Sequence, residues 1–173
     1  MNEPTDLDAV AGNVIRAAVL TVSDGCAAGR TTDTAGPAVV QMLQHQLRVQ
    51  VVWTGLAPDE QETITETIRA ITGRNLDLLV TVGGTGCGPR DLTPEATRAA
   101  ITREVPGLAQ AMRAASARIT PHALLQRGLC GIRDSTLIVN LPGSEKAATE
   151  NLAVILPALP HAVQLLRGDT THA

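Results

Sequence analysis

Four short apolar runs punctuate the chain: RAAVLTV at 16–22, VQVVW at 49–53, LDLLVTV at 76–82 and TLIVNL at 136–141. They are rich in β-branched residues and continuous rather than alternating, the pattern of parallel strands covered by helices on both faces. Helical spacing fills the gaps between them. Val39, Met42, Leu43 and Leu47 fall three or four apart, as do Ile64, Ile68 and Ile71. Asp59 followed by Glu62 has the spacing of a capping pair, and Thr93 is placed to cap a helix with Pro94 at its first position.

Later segments are less regular. A helical stretch over 94–117 is expected to break near VPGL, where Pro106 and Gly107 interrupt it. A final stretch over 144–166 is expected to be divided or kinked by Pro157 and Pro160. Between them, 118–135 reads as a helical turn followed by a short extra strand at 129–132. There is no internal repeat and no domain-sized linker. Alternating β and α segments predict one three-layer α/β/α domain over 14–168 with a mostly parallel central sheet, a polar tail at 1–13 and a short tail at 169–173.

Composition supports a packed core and removes several classes of function. At 173 residues, a fold of this kind hides roughly 70% of the extended chain's surface. Hydrophobic residues make up 44% and aromatic residues 1%, so the core must be built from Ala, Val, Leu and Ile. Trp53 is the sole aromatic ring of the Phe, Tyr and Trp type, and the net charge is −3. Neither base stacking nor a basic surface supports a nucleic-acid partner. Cys26, Cys87 and Cys130 fit neither a disulfide framework nor a zinc spacing, and His45, His122, His161 and His172 are scattered. No run approaches the ~20 apolar residues that span a bilayer, and the polar start lacks the features of a signal peptide. A soluble cytoplasmic protein is expected.

The residues that could carry chemistry lie just past the strands. The first strand leads into Ser23, Asp24 and Gly25, the second into APDE at 57–60, the third into GGTGCGPRD at 83–91, and the last into NLPGS at 140–144. In a parallel sheet ligands bind beyond the carboxyl ends of the strands, so all four segments are predicted to share one edge. The glycine loop satisfies neither a Walker motif, since Pro89 and Arg90 replace Lys-Ser/Thr, nor a dinucleotide fingerprint. The physics of an anion cradle remains: glycines let successive N–H groups approach an oxyanion, and the next helix starts with its amides free.

A carboxylate beside such a cradle repels the anion unless a cation lies between them. Asp91 stands directly behind the glycines, and Asp59 is the natural second carboxylate; Mg²⁺, which shares its coordination between one or two carboxylates and phosphate oxygens, reconciles the two. Taken singly, Asp59 also reads as a helix cap and Asp91 as a partner for Arg90.

TVSD, APDEQETI, GGTGCGPRDLTPEAT and LPGS, in this order, resemble the molybdenum cofactor biosynthesis family that includes the bacterial molybdopterin adenylyltransferases; the last third is also similar to the N-terminal domain of gephyrin. The resemblance spans about 14–168. It implies adenylyl transfer from ATP to molybdopterin with Mg²⁺ required, a homotrimer, and handover of the product to a molybdate-inserting protein. It assigns catalysis and metal binding to Asp59 and Asp91. Ser23, Asp24, Gly83, Gly84, Thr85, Gly86, Asn140, Pro142, Gly143 and Ser144 are assigned to ligand binding. Two positions depart from the family: Gln126 stands where serine is usual, and Glu145 replaces a frequent proline. The alternative the resemblance leaves open is a non-catalytic pterin-binding carrier. The related molybdate-inserting enzyme carries additional domains.

Overall fold

The computed structural model describes residues 14–47, 49–72 and 75–169; the tail expected at 1–13 lies outside them, as does all but Asp169 of the tail expected at 169–173, with His172. Six strands form one sheet in the order β2-β1-β3-β6-β5-β4, comprising β1 (Ile15–Val22), β2 (Val49–Ala57), β3 (Leu78–Val82), β4 (Arg103–Glu104), β5 (Cys130–Arg133) and β6 (Thr136–Leu141). β2, β1, β3 and β6 are mutually parallel, while β5 runs antiparallel to both β6 and β4. The mostly parallel α/β fold read from the sequence is the fold observed.

Alternate residues of the buried strands feed two cores. Ala17, Val19, Val80, Val82, Val139 and Leu141 face one side and meet α2 (Ala35–Gln46), α5 (Pro106–Ala117), α6 (Glu145–Ile155) and α7 (Leu159–Leu166) through Val39, Leu43, Met112, Leu152 and Val163. Ala18, Leu20, Leu79 and Ile138 face the other side and meet α3 (Gln61–Thr72) and α4 (Thr93–Ala100) through Ile64, Ile68, Ile71, Ala96 and Ala100. A short helix α1 (Asp24–Ala27) comes directly after β1. Among the described residues no helix is long and apolar enough to cross a membrane.

Proline sets several boundaries. The 94–117 stretch divides into α4, the two-residue β4, and α5 with Pro106 in its first turn. The 144–166 stretch divides into α6, a 3₁₀ turn at Leu156–Ala158 and α7, as Pro157 and Pro160 require. In 118–135 a 3₁₀ segment at Pro121–Leu125 precedes β5, and Asp134, at φ 52°, makes the turn into β6.

Three expectations are corrected. β2 is longer than 49–53 and is not buried on both faces: it is an edge strand with alternating burial, leaving Val52 and Leu56 exposed. Asp59 does not cap α3, which begins two residues later; its carboxylate accepts a bond from the main chain of Asp24 instead. Thr93 is not a cap either. It lies inside α4, whose preceding residue Leu92 offers no side-chain acceptor; the Thr93 N–H donates instead to the Gly84 carbonyl at 3.1 Å, and Pro94 has no N–H to satisfy.

The register brings the functional segments level. Thr21 pairs with Val82, Val82 with Leu141, and Val22 with Ala57. The chains leaving β1, β2, β3 and β6 therefore emerge side by side. Strand order reverses between β1 and β3, and the crevice expected at such a point falls between Ser23 and the glycine loop.

Candidate active site

The glycine loop begins with two residues in left-handed backbone conformation, Gly83 at φ 108° and Gly84 at φ 61°. Both glycines are required. A Cβ on Gly83 would lie 2.2 Å from the carbonyl oxygen of Val22, and one on Gly84 would lie 2.4 Å from the Thr93 hydroxyl. This turn leaves donors free: among the described residues, the amides of Gly84, Thr85 and Gly86 meet no acceptor. Such a nest of backbone N–H groups has the geometry that can receive an anion.

Two cavities adjoin the loop and share Gly84, Asp91 and Gly143 in their walls. The smaller, of about 290 Å³, is lined by Ser23, Cys26, the 32–35 segment, Asp59 and Gly83 as well. The larger, of about 430 Å³, is lined by Thr85 and Gly86, by Arg113 and Ser116 of α5, by 3₁₀-segment residues including His122 and Leu125, and by Gln126, Pro142, Ser144 and Asn151. Asp59 and Asp91 thus open onto one shared space.

Asp59 is held by an exchange with Asp24. The Asp24 N–H donates to Asp59 Oδ2 at 2.8 Å, and the Asp59 N–H donates to Asp24 Oδ1 at 3.0 Å. Arg90 then grips Asp24 from outside, Nε to Oδ2 at 3.0 Å and Nη2 to Oδ1 at 2.8 Å. The Arg90 guanidinium, with the Asp59 N–H, holds the Asp24 carboxyl below the ordinary value of 3.8. Burial pushes Asp59 the other way, above 3.8, and the negative charges of Asp24 and Asp91 add to the rise; the Asp24 N–H and Arg90 offset part of it. Asp91 turns one oxygen back to its own loop, accepting the Gly88 N–H at 2.7 Å. Arg90 is therefore Asp24's partner, not Asp91's.

The donor set suits a divalent cation of the magnesium type. Asp59 Oδ1 lies 3.0 Å from the point a Gly84 Cβ would occupy, so both this carboxylate and the buried, unpartnered Thr93 hydroxyl approach the space the glycine leaves open. Among the described residues there is no group of three or more His, Cys, Asp or Glu arranged to hold a metal by itself. Two carboxylates without a cage match a cation that completes its shell with water and ligand phosphate.

Other sequence-derived site residues take varied positions. Ser23 lines the smaller cavity while its Oγ accepts the Cys26 N–H at 3.2 Å and caps α1. Pro142, Gly143 and Ser144 line the larger cavity, with Ser144 capping α6 through the Ala147 N–H at 3.3 Å. Asp24 lines neither cavity. Asn140 is fully buried behind them: its amide donates to the Thr81 and Thr97 hydroxyls at 2.8 and 2.9 Å, and its oxygen accepts the Leu129 N–H at 3.1 Å. Gln126 lines the larger cavity with both amide atoms buried and unpartnered. Sequence reasoning did not single out Asp33, which accepts from Thr21 Oγ1 at 2.7 Å and from the Gly36 N–H at 2.9 Å in the wall of the smaller cavity. Its only signal was an Asp in a Thr-rich turn before a helix. Arg113 was missed as well, sitting within an otherwise ordinary helical pattern.

A family model described as "Probable molybdopterin binding domain" (MoCF_biosynth) matches residues 18–161. The chain belongs to this family. It is 44% identical over 159 residues to gephyrin of Dictyostelium discoideum, covering 87% of this chain and 22% of that protein. It is 36% identical over 157 residues to a molybdopterin adenylyltransferase of Helicobacter pylori, covering 90% of this chain and 89% of that one. The crystal structure of the molybdopterin biosynthesis enzyme MoaB from Thermus thermophilus superposes with a TM-score of 0.85 at 47% identity, covering 90% and 98% of the two chains. The chain spans from 22% to less than half of the length of the first three curated relatives it matches.

Proposed function

We propose that this protein transfers the adenylyl group of ATP to molybdopterin and releases pyrophosphate. One observation carries the reading: two cavities meet at Gly84, Asp91 and Gly143, beside loop amides that have no protein acceptor. Joining two phosphorylated molecules at one phosphorus calls for two adjoining sites with anion donors at the junction. The Helicobacter pylori relative, matched over most of both chains, bears the corresponding name.

The smaller cavity, with Ser23 and Asp59, is assigned to the ATP phosphates. The larger cavity is assigned to the pterin, for it joins apolar Ile119, Leu125 and Ala147 to a few polar groups, including the Gln126 amide and Arg113. An oxygen of the terminal phosphate of molybdopterin attacks the α-phosphorus of ATP. As that P–O bond forms, the bond from the α-phosphorus to the oxygen bridging it to the β-phosphate breaks, and pyrophosphate leaves with the electron pair. The chain contributes positioning and charge stabilisation rather than a covalent nucleophile. Amides of Gly84, Thr85 and Gly86 donate to phosphoryl oxygens. Asp59 and Asp91 would hold Mg²⁺, which neutralises charge between the two approaching anions when bound. The proposal extends to a cytoplasmic homotrimer that passes its product to a molybdate-inserting protein.

Incubation with purified molybdopterin, ATP and Mg²⁺ tests the reading, with detection of the adenylylated pterin and of pyrophosphate. Asp91→Asn is expected to lose turnover at an unchanged melting temperature, and normal turnover by that variant would remove the metal role. Pterin binding without pyrophosphate release would make the protein a carrier instead. A monomer mass by light scattering would dismiss the trimer.

A further inference from the structure

We infer that Arg127 is a positioning residue that holds the glycine loop in its anion-binding shape; this rests on the reading of that loop as a phosphate cradle. Arg127 sits in the segment between the 3₁₀ turn and β5, remote in sequence from the loop it touches. Its main-chain N–H donates to Thr85 O at 2.9 Å, its Nε to Gly86 O at 2.6 Å and its Nη2 to Asp91 O at 2.5 Å. The guanidinium also pairs with the Glu95 carboxylate in the first turn of α4. One residue thus gathers three carbonyls, two from the adjacent Thr85 and Gly86 in the glycine turn and one from Asp91 at the end of the loop.

Peptide geometry turns these contacts into an orientation of the loop. In a trans peptide the C=O and the next N–H point in opposite directions. Carbonyls of Thr85 and Gly86 drawn onto Arg127 turn the N–H groups of Gly86 and Cys87 away from it, and among the described residues neither finds an acceptor. Arg127 therefore neutralises the oxygen side of the loop and presents its nitrogen side to an anion. A stability role is the weaker account of the same contacts. The Arg127–Glu95 pair is more than a third exposed on both partners, and surface pairs of this kind contribute little to folding. Lysine could not reproduce the arrangement, since it lacks the planar fork that reaches several acceptors at once.

The test uses inorganic pyrophosphate with Mg²⁺ as the probe, titrated calorimetrically into the full chain, with a melting curve for every variant. Arg127→Ala is expected to weaken binding at least tenfold, Arg127→Lys to fall between it and the wild type, and Glu95→Gln to stay within twofold, all melting close to the wild type. Millimolar guanidinium ion is expected to restore part of the affinity of Arg127→Ala and leave the wild type unchanged. If Glu95→Gln loses as much affinity as Arg127→Ala, or if the loss appears as a lower fraction of binding-competent protein at unchanged Kd, Arg127 is structural and the inference falls. Should Arg127→Ala fail to fold, Arg127→Lys against Glu95→Gln decides the question in the same way. A wild type that does not bind pyrophosphate overturns the cradle reading itself, whereas a wild type that binds and an Arg127→Ala that binds equally well overturns only the positioning role.

Discussion

Asp24 and Asp59, 35 positions apart, each accept the other's main-chain N–H, at 3.0 and 2.8 Å respectively. The exchange locks the turn after β1 to the turn after β2 and aims the second Asp59 oxygen at Gly84. It also gives the two carboxylates different tasks. Asp24 is saturated by Arg90 and by the Asp59 N–H, whereas Asp59 keeps an oxygen facing the cavity.

Asp59→Asn is expected to abolish adenylyl transfer without lowering the melting temperature. The folded protein raises the Asp59 pKa, so its charged form is a cost to stability at neutral pH. That cost is absent below the ordinary value of 3.8 and grows as pH rises through the folded-state value. The amide removes the charge and can still accept the Asp24 N–H. Differential scanning calorimetry at neutral pH checks this; a clear drop in melting temperature would contradict the account of Asp59.

The pH dependence of turnover depends on the same group. If ionised Asp59 is needed to take up Mg²⁺, the affinity for the metal falls on acidification at a pH above that of an ordinary aspartate, and activity at limiting Mg²⁺ falls with it. Arg90→Gln removes a positive charge that favours the ionised form, so the acid limb of kcat/KM is expected to move to still higher pH. A limb that stays in place would show that Arg90 does not bear on Asp59 during catalysis.

Much of this site could be read from residue order alone, because glycines, prolines and continuous apolar runs act locally. GGTG after LLVTV marks the cradle, and Pro157 and Pro160 mark the division of the last helical stretch. The features that escaped depend on distant partners. VQVVW looks the same whether a strand lies in the middle of a sheet or at its edge; only the strand order exposes Val52 and Leu56. Asp59 has a cap's spacing, and its true partner comes from the turn after another strand. Asn140 stands next to the LPGS turn, yet its amide points into the core.

Gly83→Ala is expected to destabilise the fold by about 3–5 kcal/mol. The positive φ and the Val22 carbonyl, 2.2 Å from the added Cβ, both oppose it, and backbone cannot rotate away as a side chain can. Gly107→Ala is the control: it lies in α5, a Cβ there meets nothing within 4 Å, and the change is expected to be neutral or stabilising. Urea denaturation of the two variants checks the contrast.

Asn140→Ala is expected to cost about 2–4 kcal/mol, because it strands two threonine hydroxyls and the Leu129 N–H in the interior. Thr81→Val removes one of those acceptors alone and is expected to cost about 1 kcal/mol. Equal losses in the two variants, measured by chemical denaturation, would mean that the buried amide does not act as a three-way tie.

β5 runs against both of its neighbours, pairing Cys130 with Val139 and Arg133 with Thr136 on the β6 side. Each parallel strand delivers to the edge bearing the two cavities the residues on its carboxyl side. A strand of opposite sense delivers the residues on its amino side, so the stretch ending in Gln126, Arg127 and Gly128 arrives there as an inbound arm. Flip that single direction and the larger cavity would lose the wall bearing Gln126, while the glycine loop would lose the arginine behind it.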